Sequence, residues 1–156
     1  MKFLVVCIGK IKENFILNGV NEYARRIRRY TELGFLTIKE EKLIKGSQDS
    51  LVLQKEGKRV LHTIPQDSPL VALDRQGKGL NSLQHFDFIN TQARQGVKKL
   101  IYLIGGPLGL SQEVLDHSDH LLSLSPMTLT HELTTLFLLE QIYRYQNFMA
   151  GEKYHK

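Results

Sequence analysis

One cysteine among 156 residues rules out a disulfide within the chain and fits a reducing compartment. That cysteine, Cys7, lies inside the apolar run FLVVCIG (3–9), where a small buried hydrophobe is expected rather than a nucleophile. No run approaches the roughly 20 apolar residues that a membrane-crossing helix needs. The N-terminal MKFLVVCIGK also lacks the small-residue cleavage site of a secretory signal. A soluble, cytoplasmic protein with no membrane partner is the expectation. Phosphate-cradling motifs are missing too: there is no G-x-x-x-x-G-K-[ST], and no G-x-G-x-x-G after the first strand. With one cysteine and no HExxH pattern, no metal is expected, and His62, His85, His117 and His120 carry no assigned role. Repeats, low-complexity stretches and linkers are absent, which leaves one domain over residues 1–156.

What is present is an ordinary globular composition, 42 % hydrophobic and 24 % charged. A chain this long buries roughly 70 % of its unfolded surface. The net charge of +5 suits a polyanionic partner without requiring one. Short apolar runs alternate with amphipathic ones. Strands are predicted over 2–9, 34–40, 68–74, 97–105 and 120–125. The helices fall over 14–30, with Phe15, Val20, Tyr23, Ile27 and Tyr30 apolar, and near 48–62, capped by Ser47. Three more are predicted: 81–95, with Leu83, Phe86 and Ile89 on one side; a short one from Ser111 to 117; and 129–150. RQGKG (75–79) reads as a turn. Strand then helix, five times over, gives an α/β fold with a parallel sheet covered on both faces. Ligands of such sheets sit beyond the carboxyl ends of the strands. Those ends here are Leu73-Asp74, Ile104-Gly105-Gly106 and Leu124-Ser125-Pro126.

The stretch LIGGPLGLS (103–111) is a bend with little side-chain bulk that bares backbone donors and acceptors. Two readings stand: a tight strand-to-helix turn that holds nothing, or a wall for an uncharged nucleoside wanting both donors and acceptors. LSLSPMTLTHEL (122–133) is a second such passage, stiffened by Pro126. If the two follow neighbouring strands, they make two walls of one pocket.

The last helix carries Leu129, Leu133, Leu136, Phe137, Leu138 and Leu139. That stripe is too broad for one face of a lone domain, so the helix is either central to the core or a dimer surface. Glu140 and Arg144 stand at i, i+4, the spacing of a surface ion pair. YARRIRRY (23–30) reads as a solvated face paired to Glu22 and Glu32, or as a phosphate grip in which Arg25, Arg28 and Arg29 cluster and Arg26 points aside. The ending GEKYHK reads as a solubilising tail, or as a functional one bearing Tyr154 and His155.

LIGGPLGLS followed by LSLSPMTLTHELTTLFLLEQIYRYQNFMAGEKYHK (122–156) resembles the RlmH family, small SPOUT-class methyltransferases of bacterial large-subunit ribosomal RNA. FLVVCIGK (3–10), NEYARRIRRY (21–30) and VALDRQGKGLNS (71–82) fit the same family. The resemblance covers essentially the whole chain, and its last 55 or so residues are the specific part. It implies a SPOUT fold with a C-terminal trefoil knot, otherwise nearly absent from proteins. It implies S-adenosylmethionine as methyl donor, and a homodimer whose sites are completed by the partner. The implied target is N3 of a pseudouridine in 23S rRNA within the assembled 70S ribosome.

The family's cofactor contacts carry over onto Leu73, Gly105, Leu124, Ser125, Pro126, Met127, Thr128 and Leu129. Its polar positions around the RNA fall on His131, Arg144, Tyr154 and His155. In that chemistry the N3 proton must leave. His155 is the candidate acceptor, Arg144 the candidate stabiliser of charge on a base oxygen, and Tyr154 the residue that stacks on or bonds the base. Arg25, Arg29, His131 and Lys153 are the candidate RNA contacts. Where the family usually has Arg, four residues after His131, this chain has Thr135; the expectation is a lost phosphate contact and modestly weaker RNA binding. Three rivals remain: a dimer that binds RNA without catalysis, a flavodoxin-like nucleotide module, and a methyltransferase for another RNA such as tRNA.

Overall fold

The computed structural model describes residues 1–43, 46 and 48–152. Ten elements follow one another: β1 (Lys2–Ile8), α1 (Asn14–Ile27), β2 (Leu33–Ile38), α2 (Asp49–Thr63), β3 (Leu70–Gly79), α3 (Ser82–Arg94), β4 (Lys99–Ile104), α4 (Gln112–His117), β5 (His120–Ser123) and α5 (His131–Met149). The strands form one sheet in the order β2-β1-β4-β3-β5, and every pairing is parallel.

The period-two alternation of the strands sorts their side chains onto two faces. Phe3, Val5 and Cys7 of β1, with Leu100, Tyr102 and Ile104 of β4, meet α1, α3 and α5. Val6 and Ile8, with Ile101 and Leu103, meet α2 and α4. Cys7 is a core residue, and burial pushes its thiol up to about 11. β2 is an edge strand, with Leu33 and Ile38 buried and Phe35 exposed.

The helix boundaries have local causes. In α3 the Asn81 side chain accepts from the Gln84 amide while the Gln84 side chain accepts from the Asn81 amide, a reciprocal cap. Ser111 caps α4 by accepting from Val114, as the sequence predicts. α2 starts after Gln48; Ser47, its expected cap, lies outside the described residues.

Several expectations fail. Phe15 and Leu83 are not on buried faces; they are 68 % and 57 % exposed. α1 turns inward Ile16, Val20, Ala24 and Ile27 instead, and α3 turns inward His85, Ile89 and Gln92. Residues 75–79 are not a free turn but the continuation of β3. Leu122 pairs with both Leu73 and Lys78, so residues 74–77 bulge out between two registers. Gly77 permits this: a Cβ there would stand 2.7 Å from the backbone of Leu121 and Leu122.

α5 is central to the core on one side and exposed on the other. One side, including Leu138, Leu139 and Ile142, is fully buried against α1 and the sheet, while Leu133, Phe137 and Phe148 are 40 %, 42 % and 47 % exposed. Ile142→Ala is expected to lower stability by about 2–5 kcal/mol, read as a lower urea midpoint at unchanged slope.

His85, without a role in the sequence, is a core residue. Its Nε2 lies 2.8 Å from the Tyr102 hydroxyl, and burial pushes its pKa down to about 4. An unfolded His85 binds its proton near pH 6.5, whereas the folded one resists until about 4. Stability is therefore expected to fall as pH drops through this window, by on the order of 3 kcal/mol. In melts at pH 7 and 4.5, His85→Gln should show a smaller pH dependence than the parent.

Candidate active site

Three parallel strands, β4, β3 and β5, end side by side. The segments leaving them enclose a cleft of about 590 Å3, within the size range of small-ligand sites. β3 gives it Leu73 and then Asp74, Arg75 and Gln76 from the bulge; the glycine bend gives it Gly105 to Gly109; the passage after β5 gives it Leu124, Ser125, Met127, Thr128 and Leu129. His131 and Thr134 of α5 and Gln112 and Leu115 of α4 complete the lining. The two passages follow not adjacent strands but the two neighbours of β3, and β3 forms the floor between them.

The bend is closed on itself. Gly109 N–H donates to the Gly106 carbonyl at 2.9 Å, and Pro107 takes the position of the turn that its fixed φ favours. Gly109 has φ +84, a left-handed conformation that favours glycine. A Cβ on Gly105 would stand 2.7 Å from the carbonyl carbon and oxygen of Gly109. The bend thus presents bare backbone, and among the described residues no lysine and no helix N-terminus of useful length is aimed into it. Ser125 organises the second wall: its hydroxyl accepts from Met127 N–H at 3.0 Å, and its carbonyl accepts from the Ser123 hydroxyl at 2.9 Å.

The start of α5 is pinned to the far end of β1. Thr130 caps it by accepting from Leu133. Glu132 accepts from the Glu13 amide at 3.0 Å. Burial alone would raise the Glu132 carboxyl, but the amides of Glu13 and Lys12 outweigh it and hold the group below its usual range. Residues 124–130 therefore travel from the β5 edge past the ends of β3 and β4 to β1. That is about 14 Å at three strand spacings, and it brings the second wall opposite the bend.

Over residues 1–155 the sequence matches the family described as "Predicted SPOUT methyltransferase". The chain belongs to the SPOUT methyltransferase family. It is 40 % identical to "Ribosomal RNA large subunit methyltransferase H" of Halothermothrix orenii, with 100 % of both chains covered. Proteins of the same name from Desulfotalea psychrophila and Bifidobacterium adolescentis are 41 % and 40 % identical, again over 100 % of both chains.

In this SPOUT methyltransferase Leu73, Gly105, Leu124, Ser125, Met127, Thr128, Leu129 and His131 line one cleft, whereas Pro126 does not. Arg75, Gln76, Gln112, Leu115 and Thr134 also line it and were missed by the sequence reading. Gly77, which makes the bulge possible, was the signal for two of them. Arg144 is outside the cleft, half-buried and 2.5 Å from Glu140. Lys153, Tyr154 and His155 lie outside the described residues.

The arginines do not group as expected. Arg25 and Arg26 share one carboxylate, Glu22, at 2.8 and 2.7 Å. They hold Glu22 down at about 2. Arg28 turns away, donating to the Leu33 carbonyl at 3.3 Å from Nε and Nη2. Glu32 pairs instead with Lys2. Thr135 is also placed differently from the expectation. It is 1 % exposed, donates to the His131 carbonyl at 2.8 Å and faces Cys7 Sγ at 3.3 Å. Its side chain points into the core beside β1.

Proposed function

We propose that this enzyme, one domain spanning residues 1–156, methylates N3 of a pseudouridine in large-subunit ribosomal RNA on the assembled ribosome. The donor is S-adenosylmethionine, and the setting is the cytoplasm. The observation that carries the reading is the cleft beyond β3, β4 and β5, whose glycine bend is bare backbone. The bend excludes a side chain at Gly105, whose Cβ would meet the Gly109 backbone, and its bare amides and carbonyls suit a flat, uncharged nucleoside that wants both donors and acceptors. Leu73, Gly105, Leu124, Ser125 and residues 127–129 hold the donor, which supplies an electrophilic methyl when bound. The names of the full-length relatives support the RNA class. We read residues 124–130, crossing three strand ends, as the thread of a C-terminal trefoil knot.

The protein's own task is to position the base and remove its proton. His155 accepts the N3 proton, Arg144 offsets the charge that develops on a base oxygen, and Tyr154 stacks on the base. Arg25, Arg29, His131 and Lys153 grip the RNA. No step needs a metal.

Reach supports a homodimer. Glu152 N–H is bonded to the Asn147 carbonyl, about 20 Å along α5 from Thr134. The three residues from Glu152 to His155 span at most about 11 Å. On that reach, the proposed homodimer has the tail serve the partner's cleft. The exposed Leu133, Phe137 and Phe148 along α5 supply an apolar face for that partner.

The test is transfer of labelled methyl from S-adenosylmethionine to ribosomes from a strain lacking the activity. Label at a pseudouridine of the large-subunit RNA is expected. Label in tRNA alone, or none with the donor still bound, overturns the reading.

A further inference from the structure

The bulge of β3 brings together two opposite charges that a regular strand would separate. Successive side chains of a strand face opposite sides of the sheet, so Asp74 and Arg75 would not share one space if the pairing ran on unbroken. It does not. Leu122 meets Leu73 and then Lys78, and residues 74–77 are left outside the ladder. Bulges of this kind re-aim side chains. Here both Asp74 and Arg75 line the cleft.

Two features hold the bulge in shape. Gly77 lies so close to β5 that a Cβ would stand 2.7 Å from the backbone of Leu121 and Leu122. Asp74 Oδ1 accepts from the Gln76 amide at 2.8 Å, the local turn that an aspartate side chain favours. The carboxylate keeps a second oxygen and further acceptor capacity. Arg75 is exposed, and none of the ion pairs among the described residues uses it. Arg25, Arg26, Arg59 and Arg144, by contrast, are each held by a glutamate.

Apart from His131, Asp74 and Arg75 are the only ionisable residues in the described lining of the cleft. An uncharged nucleoside against the glycine bend therefore leaves these charges unused. The donor proposed above carries more than a nucleoside: beyond its sulfonium, an α-ammonium and an α-carboxylate stand on one carbon. A carboxylate and a guanidinium on consecutive residues suit that zwitterion. They suit an RNA phosphate less, because Asp74 repels it. We propose that Arg75 binds the α-carboxylate of S-adenosylmethionine while Asp74 accepts from its α-ammonium. The proposal rests on the functional reading above, in which this cleft holds that donor.

The test is calorimetry on the full chain with two ligands, S-adenosylmethionine and its decarboxylated form, which lacks only the carboxylate. The parent should bind S-adenosylmethionine about five- to thirtyfold more tightly, the effect of one charge-assisted hydrogen bond at an exposed site. Arg75→Ala should lose that factor for S-adenosylmethionine without loss for the decarboxylated ligand. Arg75→Lys, which keeps the charge but not the planar fork, should recover part of the preference. Asp74→Asn, which still accepts from the Gln76 amide, should weaken both ligands, since both carry the ammonium. If Arg75→Ala weakens the two ligands equally, or neither, the proposal is overturned. Unchanged donor affinity with a reduced salt dependence of ribosome binding assigns Arg75 to an RNA phosphate instead. A parent that binds no S-adenosylmethionine overturns the functional reading and this proposal with it; one that binds it with no preference over the decarboxylated ligand overturns this proposal alone.

Discussion

Gly105→Ala is expected to weaken S-adenosylmethionine binding by about 10- to 100-fold, measured by calorimetry. The cause is steric. The added methyl would stand 2.7 Å from two backbone atoms of Gly109, and neither can rotate away as the end of a side chain can. The turn from Gly106 to Gly109 must shift, and it is the wall of the cleft. Such overpacking costs about 1–3 kcal/mol, and each 1.4 kcal/mol that appears in binding is about tenfold. Gly109→Ala is the informative control. Its φ of +84 strains an alanine, but a Cβ there meets nothing within 4 Å. A left-handed alanine costs about 1–2 kcal/mol, largely as stability, so Gly109→Ala should lower the melting temperature and disturb the donor less. If Gly105→Ala binds the donor as the parent does, the bend is not the donor's wall.

How far the sequence carries depends on whether the deciding contact is local. The period-two runs, Ser111 as a cap and the glycines of the bend are local signals, and each led to the element or turn the structure contains. Strand order is not local. That β3 lies between β4 and β5 follows from the pairing of Val71 with Tyr102 on one side and His120 on the other, which no periodicity announces. The bulge after Leu73 was missed for a related reason. RQGKG has the composition of a turn, and only the partner strand makes it a strand with residues to spare. Thr135 teaches the same point at one residue. Position 135 was judged by the charge it lacks, but its direction is set by the face of α5 that packs on β1, where a hydroxyl meets the His131 carbonyl and Cys7. The arginine run was legible in part: Glu22 does reach Arg25 and Arg26, by i, i+3 and i, i+4 contacts, whereas Glu32 is drawn to Lys2 at the start of β1.

The proposed role of the tail yields the second large effect. Deleting residues 153–156 should leave donor affinity unchanged and lower methyl transfer by at least about 100-fold, the range of a lost acid–base group and its neighbours. Among the described residues the lining of the cleft ends at Thr134, and the proposed donor contacts all lie there, whereas the proposed proton acceptor and stacking group both go. The same arithmetic predicts complementation. Gly105→Val protomers have a blocked cleft and an intact tail; tail-less protomers have the reverse. Each homodimer should be inactive. Unfolded together and refolded as mixed dimers, they should regain activity, because the intact cleft of the tail-less chain then faces the intact tail of its partner. One working site per mixed dimer sets the ceiling at half the parent's rate. Activity in the tail-less homodimer would show that His155 is not the base. No recovery on mixing, with mixed dimers verified by mass, would show that the tail serves its own chain, against the reach argued from Glu152.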